Sequence, residues 1–105
     1  MALVRRYKEI FDKYKAKPIP TLEEQLSGRF KAFFLSSLFN IHFRSLTQVV
    51  LVGKTEALFN NRIENIQCIA LLEVLKSVST LELLDLSYNH IDNGACAAIA
   101  EFVEV

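Results

Sequence analysis

Glycine and proline are scarce in this sequence, which has three glycines and two prolines among its 105 residues. Disordered and low-complexity chains are usually rich in these residues, so their scarcity argues against disorder. The glycines lie far apart, at Gly28, Gly53 and Gly94, and they form no glycine-rich phosphate-binding loop. With 51% hydrophobic residues, the chain has the size and composition of one globular domain or of part of a longer one.

An excess of basic charge is also missing, because twelve basic residues balance twelve acidic ones. This balance excludes nucleic-acid binding through overall basicity, and we expect no nucleic-acid partner. The charges are nevertheless unevenly distributed, since no acidic residue lies between positions 24 and 56. The basic residues of that cationic stretch are Arg29, Lys31, Arg44 and Lys54.

The sequence contains no evident export signal and no long apolar run. The first residues, MALVRRYKEIFDKYK, lack an apolar core followed by a small-residue cleavage site. The longest apolar-rich run, Phe30–Phe43, is shorter than the about 20 residues of a membrane span and is interrupted by polar residues. We therefore expect an intracellular protein, and its two cysteines fit a reducing compartment.

Residues that could carry catalysis or hold a metal ion do not cluster in the sequence. His42 and His90 have no cysteine, histidine or carboxylate at the spacing of a metal-ligand set. Asp85 and Ser87 lie near His90, but a strand followed by a turn does not orient them as a nucleophile and a base. We expect no enzyme activity, no cofactor, no metal and no small-molecule substrate.

The stretch LELLDLSYNHIDNGACAAIAEFV, residues 81–103, combines the patterns of a strand, a turn and a helix. Leu84 and Leu86 are two positions apart and share one face of a short strand. Asn89 follows at the turn, where its side-chain amide can satisfy buried backbone groups. Short acceptors at Asp92 and Asn93 precede a helical apolar stripe formed by Ile99, Phe102 and Val103.

An earlier part of the chain repeats this pattern. The strand pattern of residues 81–86 recurs at 46–51, an offset of 35 positions, whereas the following residues recur at an offset of 28. Because the two offsets differ by seven, we predict an insertion of about seven residues near Gly53–Phe59. The identities at the offset of 28 are Leu58/Leu86, Asn61/Asn89, Ile63/Ile91, Asn65/Asn93, Cys68/Cys96, Ala70/Ala98 and Glu73/Glu101.

The spacing L-x-x-L-x-L followed by asparagine resembles leucine-rich repeats of the ribonuclease-inhibitor type. The resemblance implies an α/β fold, a solenoid fragment of two βα repeats at 46–80 and 81–105. It covers Leu46–Val105 well and Tyr7–Leu26 loosely, and Gly28–Ser45 has no counterpart in it. Since three or more repeats are usually needed for stability, we expect the chain to be truncated at its C-terminus. The expected elements are parallel strands at Gln48–Val52 and Leu83–Leu86, and helices at Asn65–Ser77 and Gly94–Val103.

Residues 1–45 are expected to form a helical cap on the first repeat. Ala2–Lys15 is amphipathic, Pro18 and Pro20 break the helix, and Thr21 with Glu24 predicts a capping box that opens a second helix. The aromatic, cationic segment 28–45 either packs against these helices or lies on a membrane surface. The apolar side chains of the first helix are Leu3, Tyr7, Ile10, Phe11 and Tyr14.

The resemblance implies a non-enzymatic interaction module that binds a protein partner on its concave face and rim loops. The alternative is a membrane-surface module that uses residues 28–44. The concave surface is itself open to two interpretations, partner binding or coverage by the N-terminal segment or a further domain. Candidate partner-binding residues are the concave strand positions and the residue at their edge: Gln48, Val50, Val52, Leu83, Asp85, Ser87 and Tyr88.

Two pairs of repeated residues are predicted to be structural. Asn61 and Asn89 are turn residues, with Asn61 displaced by the inserted loop and therefore less important. Cys68 and Cys96 occupy equivalent helix positions on neighbouring helices, whose axes lie about 8–10 Å apart, so a disulfide would need distortion. We expect two buried free thiols.

Overall fold

The computed structural model describes residues 2–27 and 46–103, and these residues form a mixed arrangement of helices and strands. The predictions for segment 28–45 lie outside the described residues. A 3₁₀ turn, Asn93–Ala95, leads into the last helix. The elements in chain order are α1 (Ala2–Tyr14), α2 (Leu22–Ser27), β1 (Gln48–Val50), α3 (Asn65–Leu75), β2 (Leu83–Asp85) and α4 (Cys96–Val103).

The two strands are parallel neighbours in one sheet, which confirms the predicted pairing. Val49 pairs with Leu84 and Val50 with Asp85, so the register equals the offset of 35 found in the sequence. Both strands are shorter than predicted, since they end at Val50 and Asp85. Hydrogen bonds between their continuations nevertheless persist, since Leu51 N donates to Asp85 O at 2.8 Å.

The connections between strand and helix differ in length as predicted. Val50 and Asn65 are 15 positions apart, whereas Asp85 and Asn93 are 8 apart, so the first connection is seven residues longer. Residues 53–61 of this longer connection are almost entirely turns. The additional residues therefore lie between β1 and α3, where the two offsets predicted them.

Helix α3 lies at the centre of the core. It contacts α1 on one side and α4 on the other, and a helix enclosed in this way is apolar around most of its circumference. Its N-terminus is held by Gln67, whose Oε1 accepts from Glu64 N at 2.8 Å and whose Nε2 donates to Lys17 O at 3.0 Å. Buried residues of α3 are Gln67, Cys68, Ala70, Leu71, Leu72, Val74 and Leu75.

Helix α1 packs against α3 through the predicted apolar face. Tyr7, Ile10 and Phe11 are buried, and the Tyr7 and Phe11 rings meet edge to face with centroids 4.7 Å apart. Arg6 of the same helix is half-buried. Its guanidinium donates to Glu73 O at 3.0 Å and to Val74 O at 3.4 Å near the C-terminus of α3, where a cation is favourable.

Helix α2 is present, but the predicted capping box of Thr21 and Glu24 is not formed, and that prediction was wrong. Thr21 has a φ of 69°, whereas an N-cap residue normally has an extended backbone. The Thr21 hydroxyl instead accepts from Gln25 Nε2 at 3.4 Å.

The Gln25 side chain also covers the outer edge of β1. Its Oε1 accepts from Val50 N at 2.8 Å, and its Nε2 donates to Val50 O at 2.9 Å. One side-chain amide thus makes the pair of hydrogen bonds that another strand would make. Beyond β1, β2 has no second strand beside it within the described residues.

Two further boundaries differ from the predictions. Helix α3 ends at Leu75 and not at Ser77, and the predicted helix Gly94–Val103 begins as the 3₁₀ turn before α4. In the described parts of the chain, no helix has the length and apolar character needed to cross a membrane.

Candidate functional site

The outward surface of the two-stranded sheet, here called the strand face, consists of Gln48, Val50, Leu83 and Asp85. Alternation along the strands places these side chains opposite the buried Val49. Val50 is 38% exposed and Leu83 is 48% exposed, although both are apolar. Gln48 is exposed and Asp85 is half-buried. The predicted strand positions therefore share one surface.

The remaining candidate residues lie where the strands end. Val52 is half-buried, and Ser87 is exposed. Ser87 donates to Asp85 Oδ1 through its backbone N at 3.0 Å and through its hydroxyl at 2.6 Å. These hydrogen bonds lower the pKa of Asp85, so the strand face carries an ionised carboxylate at neutral pH. Tyr88 is 58% exposed and adjoins this end of the sheet.

A second group of residues, three of them exposed and Arg62 half-buried, borders the strand face at the long connection between β1 and α3. We call Lys54, Phe59, Arg62 and Tyr88 the rim patch. Lys54 Nζ lies 4.0 Å from the centroid of the Tyr88 ring, and Arg62 Cζ lies 5.4 Å from that of Phe59. Both distances are within the range of cation–π interaction. Arg62 Nε also donates to Gly53 O at 3.3 Å, next to Lys54, so the two pairs are adjacent.

Sequence reasoning included Tyr88 but missed Phe59 and Arg62 as surface residues. Phe59 is 59% exposed in the inserted segment, where no repeat pattern specifies a role. An aromatic residue within a predicted insertion was the available signal, because an insertion lies outside the repeated core.

Asn89 joins the two turns beneath the rim patch through hydrogen bonds to the backbone. Its Oδ1 accepts from Ile63 N at 2.8 Å. Its Nδ2 donates to Leu51 O at 2.7 Å, to Leu86 O at 3.0 Å and to Ser87 O at 3.2 Å. The predicted role of the Asn89 amide is therefore present, and it extends to both strand–helix units. Asn61 is exposed, and its side chain makes no hydrogen bond to another described residue.

Gly53 forms a close backbone contact with the second turn. Its N donates to Ser87 O at 2.8 Å. A Cβ atom at this position would lie 1.8 Å from Tyr88 O, so any side chain would force the turns apart. Tyr88 itself has a φ of 62°, a left-handed conformation that is costly for a residue with a side chain. The packing of the two turns thus fixes the Tyr88 backbone.

The helix starts of the two units are also joined. Asn65 Nδ2 donates to Asp92 Oδ1 at 2.6 Å, and Asp92 N donates to Asn65 Oδ1 at 3.0 Å. Gly94 N donates to the same carboxylate at 2.9 Å, and this hydrogen bond is the main cause of the lowered pKa of Asp92. Asp92 thereby supplies the acceptor predicted ahead of the last helix.

The two cysteines differ in their environment. Both are free, as predicted, but Cys68 is buried and Cys96 is exposed, so the prediction of two buried thiols was wrong for Cys96. Burial raises the pKa of the Cys68 thiol. Cys96 is exposed because α4 has no buried residue and packs on α3 with one side only, within the described chain.

The described residues offer little geometry for catalysis. They contain no group of three histidine, cysteine or carboxylate residues that could hold a metal ion. The Ser87 hydroxyl donates to Asp85, so it is not activated by His90, which is exposed. What these residues present is a surface of apolar, aromatic and cationic groups.

Comparisons with protein-family models, with curated proteins and with solved structures found no match to this chain.

Proposed function

We propose that residues 46–103 are two leucine-rich repeats and that the protein is a non-enzymatic interaction module. Its partner is a protein, bound on the strand face and the adjoining rim patch. The observation that carries the proposal is the exposure of Val50 and Leu83 on one face of adjacent strands, beside an exposed Tyr88. Contiguous exposed apolar groups are typical of interaction surfaces, and aromatic anchors often supply much of the binding energy.

Three features support the repeat assignment. Each parallel strand is followed by a helix, and the strand register equals the offset of the repeated leucines. Asn89 lies beneath the turn and bonds to the backbone of both units. Helices α1 and α2 contact the first unit on the side away from the second, which fits a cap.

Selection of peptides from a displayed random library, with the whole chain as bait, tests the proposal. Binding of the selected peptides is then measured by fluorescence anisotropy for Leu83→Ser and for Ile66→Ser. Leu83 is 48% exposed on the strand face, and Ile66 is 41% exposed on α3, so the two substitutions are matched in exposure.

We expect Leu83→Ser to weaken binding by about tenfold, as loss of an interface anchor does. Ile66→Ser should have little effect. Circular dichroism spectra of both variants check that the fold is retained. Equal losses in the two variants, or peptides that bind only near α3, would contradict the proposed surface.

A further inference from the structure

We infer that the rim patch binds the carboxylates of an acidic segment in the protein partner, an inference that rests on the proposed interaction function. The patch carries two cations, each placed against an exposed aromatic ring, as described above for Lys54 on Tyr88 and Arg62 on Phe59. The contact of Arg62 Nε with Gly53 O, next to Lys54, brings these two pairs together.

The charges of the patch are available to a partner. Ion pairs among the described residues involve Lys8, Lys13 and Lys76. Neither Lys54 nor Arg62 lies within 4.0 Å of a carboxylate oxygen of a described residue. An aromatic ring attracts a cation without neutralising it, so a carboxylate can still approach from the side away from the ring.

The patch is also preorganised for binding. The Tyr88 backbone is fixed by its contact with Gly53 and by the hydrogen bonds of the neighbouring Asn89. Stacking restricts the conformations of the Lys54 and Arg62 side chains before a partner arrives. Because these side chains are already partly ordered, less conformational entropy is lost on binding.

An acidic polypeptide fits this surface better than a nucleic acid does. The strand face next to the patch has the ionised Asp85 and the apolar Val50 and Leu83. A phosphate backbone would meet repulsion from Asp85 and would find only two cations in the patch. A peptide that alternates carboxylates with apolar side chains can place the former on the rim patch and the latter on the strand face.

Titration of the ¹⁵N-labelled whole chain with two capped hexapeptides tests the inference by NMR. One peptide alternates glutamate with leucine, and the other alternates glutamine with leucine, so they differ only in charge. We expect the glutamate peptide to shift the amide signals of Lys54, Arg62 and Tyr88 and to bind about fivefold more tightly than the glutamine peptide.

The double variant Lys54→Gln/Arg62→Gln should remove this preference, whereas Lys8→Gln/Lys76→Gln should retain it. The control pair changes the net charge equally but lies in exposed ion pairs elsewhere. Equal affinity of the two peptides, equal loss in the control variant, or stronger shifts with a single-stranded oligonucleotide would overturn the inference.

The titration also separates this inference from the function on which it rests. Shifts at Val50 and Leu83 with both peptides, without shifts in the rim patch, would retain protein binding and remove the acidic preference. Absence of any shift would remove the inference, and the Leu83→Ser comparison on selected peptides would then decide the interaction function independently.

Discussion

The two strand–helix units share a sequence pattern but differ in how deeply they are buried. Leu51 and Cys68 of the first unit are inaccessible to solvent, whereas their counterparts Leu86 and Cys96 are half-buried and exposed. The first unit contacts helices α1 and α2 as well as the second unit. The second unit has only the first beside it within the described chain. Burial in such a stack therefore depends on a unit's neighbours more than on its own pattern.

The largest difference is expected for the same side-chain truncation at the equivalent positions directly after the two strands, Leu51→Ala and Leu86→Ala. Removing the fully buried Leu51 side chain should lower the free energy of unfolding by about 2–5 kcal/mol, because a cavity remains. Removing the half-buried Leu86 should cost less than half as much. Urea unfolding followed by circular dichroism measures both, and equal losses would mean that the second unit is buried as deeply as the first.

The glycines of the two units provide a second comparison. An added Cβ at Gly53 meets Tyr88 backbone atoms at 1.8 and 2.6 Å, whereas at Gly94 the closest atom is the side-chain Asn65 Nδ2 at 2.6 Å. Gly53→Ala should therefore destabilise the protein by about 3 kcal/mol, and Gly94→Ala by about 1 kcal/mol, because a side chain moves more easily than backbone. The urea midpoints of the two variants test this order. A lower midpoint for Gly94→Ala than for Gly53→Ala would contradict it.

The turn asparagines should differ in the same kind of measurement. Asn89→Ala leaves the backbone groups of Ile63 and Leu51 without their partner, at a cost of about 1–3 kcal/mol. Asn61→Ala should change stability little because that side chain is exposed. His90→Ala, next to Asn89, serves as the control. Similar losses for Asn61→Ala and Asn89→Ala would show that both turns depend on asparagine equally.

The smallest difference between the two units is expected in how their stability depends on pH. It is tested at the equivalent residues Glu73 and Glu101. Hydrogen bonds from Lys13 and Tyr14 lower the pKa of Glu73 below its usual 4.5. The folded state therefore binds this proton less readily than the unfolded state does. The stabilisation is present above pH 4.5 and is lost as the pH falls through the lowered pKa.

Urea midpoints measured from pH 6 to pH 3 test this linkage. Glu73→Gln should make the decline shallower, and the decline that remains is expected from Asp85 and Asp92, whose pKa values are also lowered. Glu101→Gln should show the same decline of the urea midpoint as the unmodified protein, since Glu101 forms only an exposed ion pair with Lys76 at 3.3 Å. A parallel decline in Glu73→Gln would contradict the role assigned to Glu73.

The repeated leucines and the seven repeated identities were sufficient to predict the strand register, the longer first connection and the position of Asn89. These features can be read from the spacing of nearby residues, because side chains in a strand alternate between its two faces and a turn follows at a fixed distance. The Thr21–Glu24 pattern was misleading because Thr21 adopts a left-handed backbone there. A local capping signal was overridden by the path of the chain.

Contacts between distant polar residues could not be predicted in this way. Arg6 donates to the backbone at the end of α3, and Gln67 donates to Lys17 O. Each contact joins residues fifty or more positions apart in the sequence, and no periodic pattern indicates which residues will meet. The rim patch was only partly foreseen for the same reason. Phe59 lies in the predicted insertion, and Arg62 lies after it at a position whose counterpart, His90, is a different residue, so no repeated pattern marked their contact.

The amide of Gln25 on β1 has a consequence for self-association. A sheet with two open edges can add molecules at both ends and grow into a fibre. Here the Val50 backbone groups at the outer edge of β1 are already bonded to Gln25, which leaves the β2 edge as the place for strand addition in the described sheet. A strand added at β1 would first have to displace the Gln25 amide, so the hydrogen bonds of one side chain direct strand addition in this sheet away from β1.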